Sequence, residues 1–237
     1  YLLLGHLITG IIPSEPTRLV AGFMATSIFL VPGFPLFTGA LDVTRLDLQA
    51  GIERITYAAV VMLSMGIAAW SVASIVGLDP SPAPIQAGIW WLVWIMRTLT
   101  SFLAVFGWAV MFNSPWREAV AGGLVAVLGN LLRHWLMDHG VVNHLATFAG
   151  ALVIGIGCHA VARLLGLTRL IMLVPTLLVM IPGSAALRAL LYFNDGDLMA
   201  ALNDGISVVL QALAMVCGLV ASMMMFDKGW AFTRPHH

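Results

Sequence analysis

Arg97 stands inside "WWLVWIMRTLTSFLAVF", an otherwise apolar run, with Thr98 and Ser101 on a helical face beside it. A cation at bilayer depth costs roughly 2.5–3.5 kcal/mol or more, so it must face protein or water. There it could hold a carboxylate through paired hydrogen bonds; the alternative is a structural ion pair. Asn130, Arg133 and His134 occupy i, i+3 and i+4 of a second apolar run and share one face. Arg133 and His134 approach the end of that run, where side chains can also reach out to the interface. Arg188 falls six residues after Pro182, and Thr38 six after Pro32. A cation and a hydroxyl at these places could read a carboxylate and a side-chain oxygen. Asp42 and Asp47 follow the first proline, Asp195 and Asp197 the second. A buried carboxylate can load and release a proton; the rival reading of Asp47, Asp195 and Asp197 is a solvated interfacial loop.

Other reactive side chains carry less. His134, His139 and His144 recur every five residues, which leaves neighbours about 140° apart on a helix and forms no metal face. His159 is expected as a satisfied interior histidine. Cys158 and Cys217 lie in apolar runs without a CxxC spacing, which suits small core residues. No HExxH or GxSxG is present, so no enzyme, metal or cofactor is expected.

The elements that must position these residues are set by composition. Of 237 residues, 60% are hydrophobic and 9% charged, against about 25% charged in a soluble domain. The fold class is therefore an all-α integral membrane protein. Eleven basic residues balance eleven acidic ones, without a basic run, so nucleic acid is excluded as a partner. After a partial run at 1–12, apolar segments are predicted at 18–40, 55–78, 87–112, 119–137, 141–163, 170–193 and 205–226. Their connections are short and turn-forming. Two mixed stretches, 41–55 and 194–204, are predicted as interfacial helices. Gly122, Gly123, Ala126 and Gly129, and then Ala146, Gly150, Ala151, Gly155 and Gly157, predict close helix packing. Trp90, Trp91 and Trp94 mark an interface. With alternating segments, seven Lys and Arg fall on the side of the C-terminus (Arg45, Arg54, Arg117, Arg163, Arg169, Lys228, Arg234) and three on the other (Arg18, Arg133, Arg188). That bias predicts a cytoplasmic C-terminus.

Two of these segments are interrupted in the same way. "FLVPGFPLFTG" and "LVMIPGSAALR" carry Pro-Gly at 32–33 and 182–183. A shift of 150 residues aligns them without a gap, and matches Leu41 with Leu191, Asp47 with Asp197, Leu48 with Leu198 and Ala50 with Ala200. Proline removes a backbone donor and disrupts the preceding turn. In hydrocarbon such a break survives only where protein or a water-filled cavity covers it. Paired Gly/Pro-interrupted segments in two halves of a chain point to a midplane binding site. The expected domains are 1–78, the truncated end of a first membrane repeat, 87–226, a second repeat of five spans, and 227–237, a C-terminal tail. Five being odd, the two repeats would be inverted.

The sequence "VPGFPLFTGALDVTRLDLQAGIERITYA" (31–58), with Pro-Gly-x-Pro-Leu at 32–36, Asp42 and Gly-Ile-x-Arg at 51–54, resembles the end of the first membrane half of the threonine/serine exporter family. "FGWAVMFNSPWREAVAGGLVAVLGNLLRHWL" (106–136) and "VPTLLVMIPGSAALRALLYF" (174–193) resemble its second half. The resemblance implies a five-plus-five helical bundle in a bacterial inner membrane, exporting threonine and serine against protons. Some two-chain relatives are associated with succinate instead. The residues themselves give the expected site: Pro32, Gly33, Thr38, Arg97, Asn130, Pro182, Gly183 and Arg188 for substrate, with Asp42 and Asp47 for protons, Asp42 being favoured by its place in the resemblance. Missing first-half segments or a partner chain, and a homo-oligomer, are further expectations. Ala185 stands where the first copy has Pro35.

Overall fold

The structure is a computed structural model that describes residues 22, 23, 26, 32–44, 47–76 and 89–226. The expected run at 1–12, most of the segment 18–40, the loop 79–86 and the tail 227–237 lie outside the described residues. So do Arg18, Arg45, Lys228 and Arg234. Every regular element among the described residues is a helix: α1 (Gly33–Thr44), α2 (Leu48–Val76), α3 (Trp90–Met111), α4 (Trp116–Asp138), α5 (Asn143–Leu165), α6 (Arg169–Leu178), α7 (Gly183–Asn194) and α8 (Leu198–Phe226). Six stretches are long and apolar enough to cross a membrane, with α6 and α7 together making one of them, Arg169–Phe193.

Helix ends fall where local chemistry puts them. Asn113 (φ 54°) turns the chain between α3 and α4, and Gly140 (φ 83°) between α4 and α5. Gly166 adopts the left-handed conformation that closes α5, which glycine reaches without a Cβ clash. The two mixed stretches differ from expectation. Residues 41–44 are the last turn of α1, and 48–55 are the first two turns of α2, with no separate interfacial helix. Likewise only a tight turn through Gly196 (φ 83°) separates α7 from α8. The Asp197 carboxylate accepts a hydrogen bond from the Ala200 amide at 3.1 Å, capping α8 at its start. Neither stretch contains a proline that would stop a helix once it is capped.

The 150-residue repeat is present in the backbone. α1 and α7 each have 12 residues, and α2 and α8 each have 29. Start and end positions of both pairs differ by 150. The Leu36 amide bonds Pro32 O at 3.2 Å, as the Ala186 amide bonds Pro182 O at 3.0 Å. The Asp47 amide bonds Asp42 O at 3.0 Å, as the Asp197 amide bonds Tyr192 O at 2.9 Å.

The chain forms two compact units. One holds α1 as far as Gly39, α2, α7 and α8 as far as Val209. Here α2 packs on α7. Ala58, Met65, Ala69 and Ala73 make the buried stripe of α2, and Ala186, Leu187 and Leu191 that of α7. Gly66 lets Leu190 approach: a Cβ there would lie 2.6 Å from Leu190 Cδ1. Trp70 Nε1 donates to Asp195 Oδ1 at 3.2 Å, tying α2 to the turn after α7.

The second unit holds residues 40–44 and 47, α3 to α6, and α8 from Leu210. α4 packs against α3, α5 and α6, and α5 and α3 also touch α6. The small residues act as the sequence predicts. A Cβ on Gly129 would meet Gly150 O at 2.8 Å, and one on Gly150 would meet Gly129 O at 2.8 Å, so α4 and α5 cross backbone to backbone. Gly155 faces Ser222, and Gly218 faces the Phe148 carbonyl, which docks α8 on α5. Cys158 is buried in this core, whereas Cys217 is exposed on α8, on a different face from Gly218.

Candidate functional site: a half-buried arginine at a broken helix

The second interruption is resolved residue by residue. α6 ends at Leu178, and the chain tightens, with the Met180 amide on Leu177 O and the Ile181 amide on Leu178 O. Pro182 (φ −77°, ψ 54°) then leaves helical geometry, and α7 restarts at Gly183. Pro182 and Gly183 are both buried. In apolar surroundings a carbonyl released by such a break needs a donor. Arg133, on α4, supplies one: its Nη1 lies 3.5 Å from Met180 O. A cation beyond the C-terminal end of α6 also meets the negative end of that helix's dipole.

Arg133 therefore does not reach out to the interface, the alternative its place near the end of α4 had allowed. Its Nη2 donates to Asn143 Oδ1 at 3.1 Å, at the start of α5, and to Gln211 Oε1 at 3.2 Å, on α8. Its Nε is buried without a partner. Gly150 gives it room, since a Cβ there would lie 3.3 Å from Arg133 Cβ. One turn earlier on α4, Asn130 is 6% exposed and donates to Ser101 Oγ of α3 at 2.7 Å. Its Oδ1 is buried without a partner. Asn130 and Arg133 thus share one face of α4, as their i, i+3 spacing predicts, in a core that also buries Thr147, Thr176 and Gln211.

Arg97 occupies a different setting. Its Nη1 and Nη2 reach Asp138 Oδ2 and Oδ1 at 2.5 and 3.2 Å, and its guanidinium stands 5.1 Å from the Trp94 ring centroid. Asp138 is the last residue of α4 and is exposed, which puts Arg97 level with a helix end rather than at mid-depth. Two of its N–H groups are committed to one carboxylate, which is the ion-pair alternative given above. In the other unit, Arg188 Nε pairs with Asp204 Oδ2 at 2.9 Å, both side chains being about a fifth to a quarter exposed (25% and 19%). Thr38, its counterpart in the first copy, turns its hydroxyl to its own helix, on Phe34 O at 2.9 Å and Pro35 O at 3.3 Å. Pro32 and Gly33 are half-buried at the start of α1. Asp42 is half-buried near the end of α1; Asp47, Asp195 and Asp197 are exposed at helix ends.

Asn143, Gln211, Asp138 and Asp204 complete these clusters, and sequence reasoning had not singled them out. Gln211 had a signal: it is the lone amide in the apolar run 206–226. Such a residue needs a buried partner in lipid, and here the partner is an arginine 78 positions away.

Exposed Ile52, Leu63 and Ile67 on α2, Leu103 on α3, Leu128 on α4 and Leu213 on α8 give the helices apolar outer faces. Together with six apolar spans, one of them broken beside a half-buried cation, they define a multi-pass membrane protein. Comparison with known families makes this specific. The family described as Threonine/Serine exporter, ThrE matches residues 97–225, and a second threonine/serine exporter family matches residues 2–76. The chain belongs to the threonine/serine exporter family. No curated protein and no solved structure matches it.

Proposed function

We propose that this chain carries threonine and serine out of a bacterial cell across the inner membrane, exchanging them for protons. The recurrence of one Pro-Gly helix start carries the reading. Two Pro-Gly starts, 150 residues apart, open helices of equal length with matching hydrogen bonds, in a member of an exporter family. Counting α6–α7 as one crossing, α8 is the fifth crossing after α2, which supports two repeats of opposite orientation meeting at 78–87. Substrate passes between the two interruptions. Pro32 and Pro182 open the two helices so that the Gly33 and Gly183 backbone groups face it, while Thr38, Asn130, Arg97 and Arg188 supply polar contacts. Asp42 and Asp47 carry protons, and the C-terminus faces the cytoplasm.

The test is counterflow of labelled threonine in proteoliposomes. Saturable exchange driven by a pH gradient supports the reading. Exchange of succinate without threonine assigns the protein to the dicarboxylate exporters instead, and ohmic ion current makes it a channel. Pro32→Ala and Pro182→Ala are expected to lower transport more than expression; equal loss of both reduces the prolines to simple kinks.

A further inference from the structure

We infer that Arg133 is the anchor for the carboxylate of the transported solute, an assignment that rests on the exporter reading. Arg97, Arg133 and Arg188 lie inside the apolar spans with resolved partners, while Arg169, the first residue of α6, buries Nε and Nη2 without a partner at a helix end. Arg97 has Asp138 and Arg188 has Asp204. Arg133 has Asn143, Gln211 and a main-chain carbonyl, so its resolved partners are all neutral. A guanidinium taken out of water without a counter-charge costs several kcal/mol. Gln211→Glu or Asn143→Asp would supply that charge with little change of shape, at 3.2 and 3.1 Å from Nη2. The chain keeps amides at both places. The amides orient the cation and leave its charge uncancelled.

The surroundings suit a small anion. Met180 lies in the interruption of the span Arg169–Phe193, Gln211 near the middle of α8 and Asn143 at the start of α5, so the guanidinium joins the interruption to a helix end. Guanidinium has five donors. Nη2 uses its two on the amides, Nη1 makes one long contact, and the buried Nε–H has no acceptor. A carboxylate fills that vacancy in charge and in hydrogen bonding together, and on departure returns Arg133 to the amides and to Met180 O.

Gln211→Glu provides the decisive experiment, because it neutralises Arg133 from within and does not truncate it. Counterflow and thermal stability of the full chain are measured in lipid with L-threonine, L-threonine amide and succinate as probes. For the wild type, threonine competes and its amide, which keeps the ammonium and hydroxyl, does not. Gln211→Glu and Arg133→Gln are expected to weaken threonine about 10- to 100-fold, the worth of a charged hydrogen bond. Gln211→Glu should do so at an unchanged or raised melting temperature. Wild-type affinity in Gln211→Glu overturns the assignment and leaves Arg133 as a cap on the broken helix. If the wild type moves succinate but not threonine, the amino-acid reading fails alone, and the same variants test the anchor with succinate. If no carboxylate is exchanged or stabilises the protein, both fail.

Discussion

Gly150→Ala tests the helix crossing on which Arg133 depends. A methyl there would lie 2.6 Å from Met180 Cε and 2.8 Å from Gly129 O. The methionine end can swing aside. The carbonyl is fixed in α4 and falls 0.6 Å short of the 3.4 Å at which ordinary contact begins. α4 and α5 must part by about that distance, and a gap of 0.5–1 Å forfeits roughly a quarter to a half of each dispersion contact along the seam. Overpacking of this kind costs about 1–3 kcal/mol, and the helix propensity of alanine returns about 0.8–1. The net expectation is a loss of up to about 2 kcal/mol, and of about 1–3 kcal/mol relative to a glycine-to-alanine change in open space, read as a lower melting temperature by tryptophan fluorescence in detergent. Gly107→Ala and Gly205→Ala are internal controls, since a Cβ at either meets nothing within 4 Å. They should be neutral or stabilising. Because the Gly150 Cβ position is 3.3 Å from Arg133 Cβ, Gly150→Ala should also weaken threonine exchange at temperatures where it stays folded. A Gly150→Ala protein as stable as Gly107→Ala would refute the close crossing, and with it the placement of Arg133.

Asp204→Asn removes the ion partner of Arg188 and should cost about 1–3 kcal/mol, below the value for a fully buried pair because both groups keep some solvent contact. Thermal unfolding of Asp204→Asn beside Arg188→Gln/Asp204→Asn checks this, the double variant recovering part of the loss. Asn130→Ala loses one hydrogen bond to Ser101 but also removes the unpartnered Oδ1. Its stability should stay within about 1 kcal/mol of wild type while exchange falls, and a drop in stability alone would make Asn130 structural. Gly166→Ala forces a Cβ into left-handed geometry (φ 66°) and should cost about 1–2 kcal/mol, measured by the same melting assay, with Gly166→Asn costing less.

Much of this molecule was set by local rules that act over a few residues. Sixty per cent apolar composition with 9% charge demands lipid. Pro182 with Gly183 interrupts the span Arg169–Phe193, and Asp197 caps the next helix because its carboxylate reaches the amide three residues on. The 150-residue repeat was readable because such signals recur in order. The apolar outer faces and the glycine seams also follow from short-range pattern.

Charge pairing belongs to another level. Arg97 and Asp138 are 41 positions apart, Arg188 and Asp204 16, and Arg133 and Gln211 78. Whether an arginine near a helix end turns to water or inward depends on the rotation and tilt of its helix, and on what glycine lets its neighbours approach. Spacing along the chain contains neither. It put Arg97 in the expected site and left Arg133 out, whereas the packing of α4 against α3, α5 and α6, with α8 docked on α5, gave Arg97 a carboxylate and Arg133 only amides and a carbonyl. Charge pairing is a property of the packed helices, so tertiary structure alone decides whether a cation in an apolar span meets a carboxylate or only neutral groups.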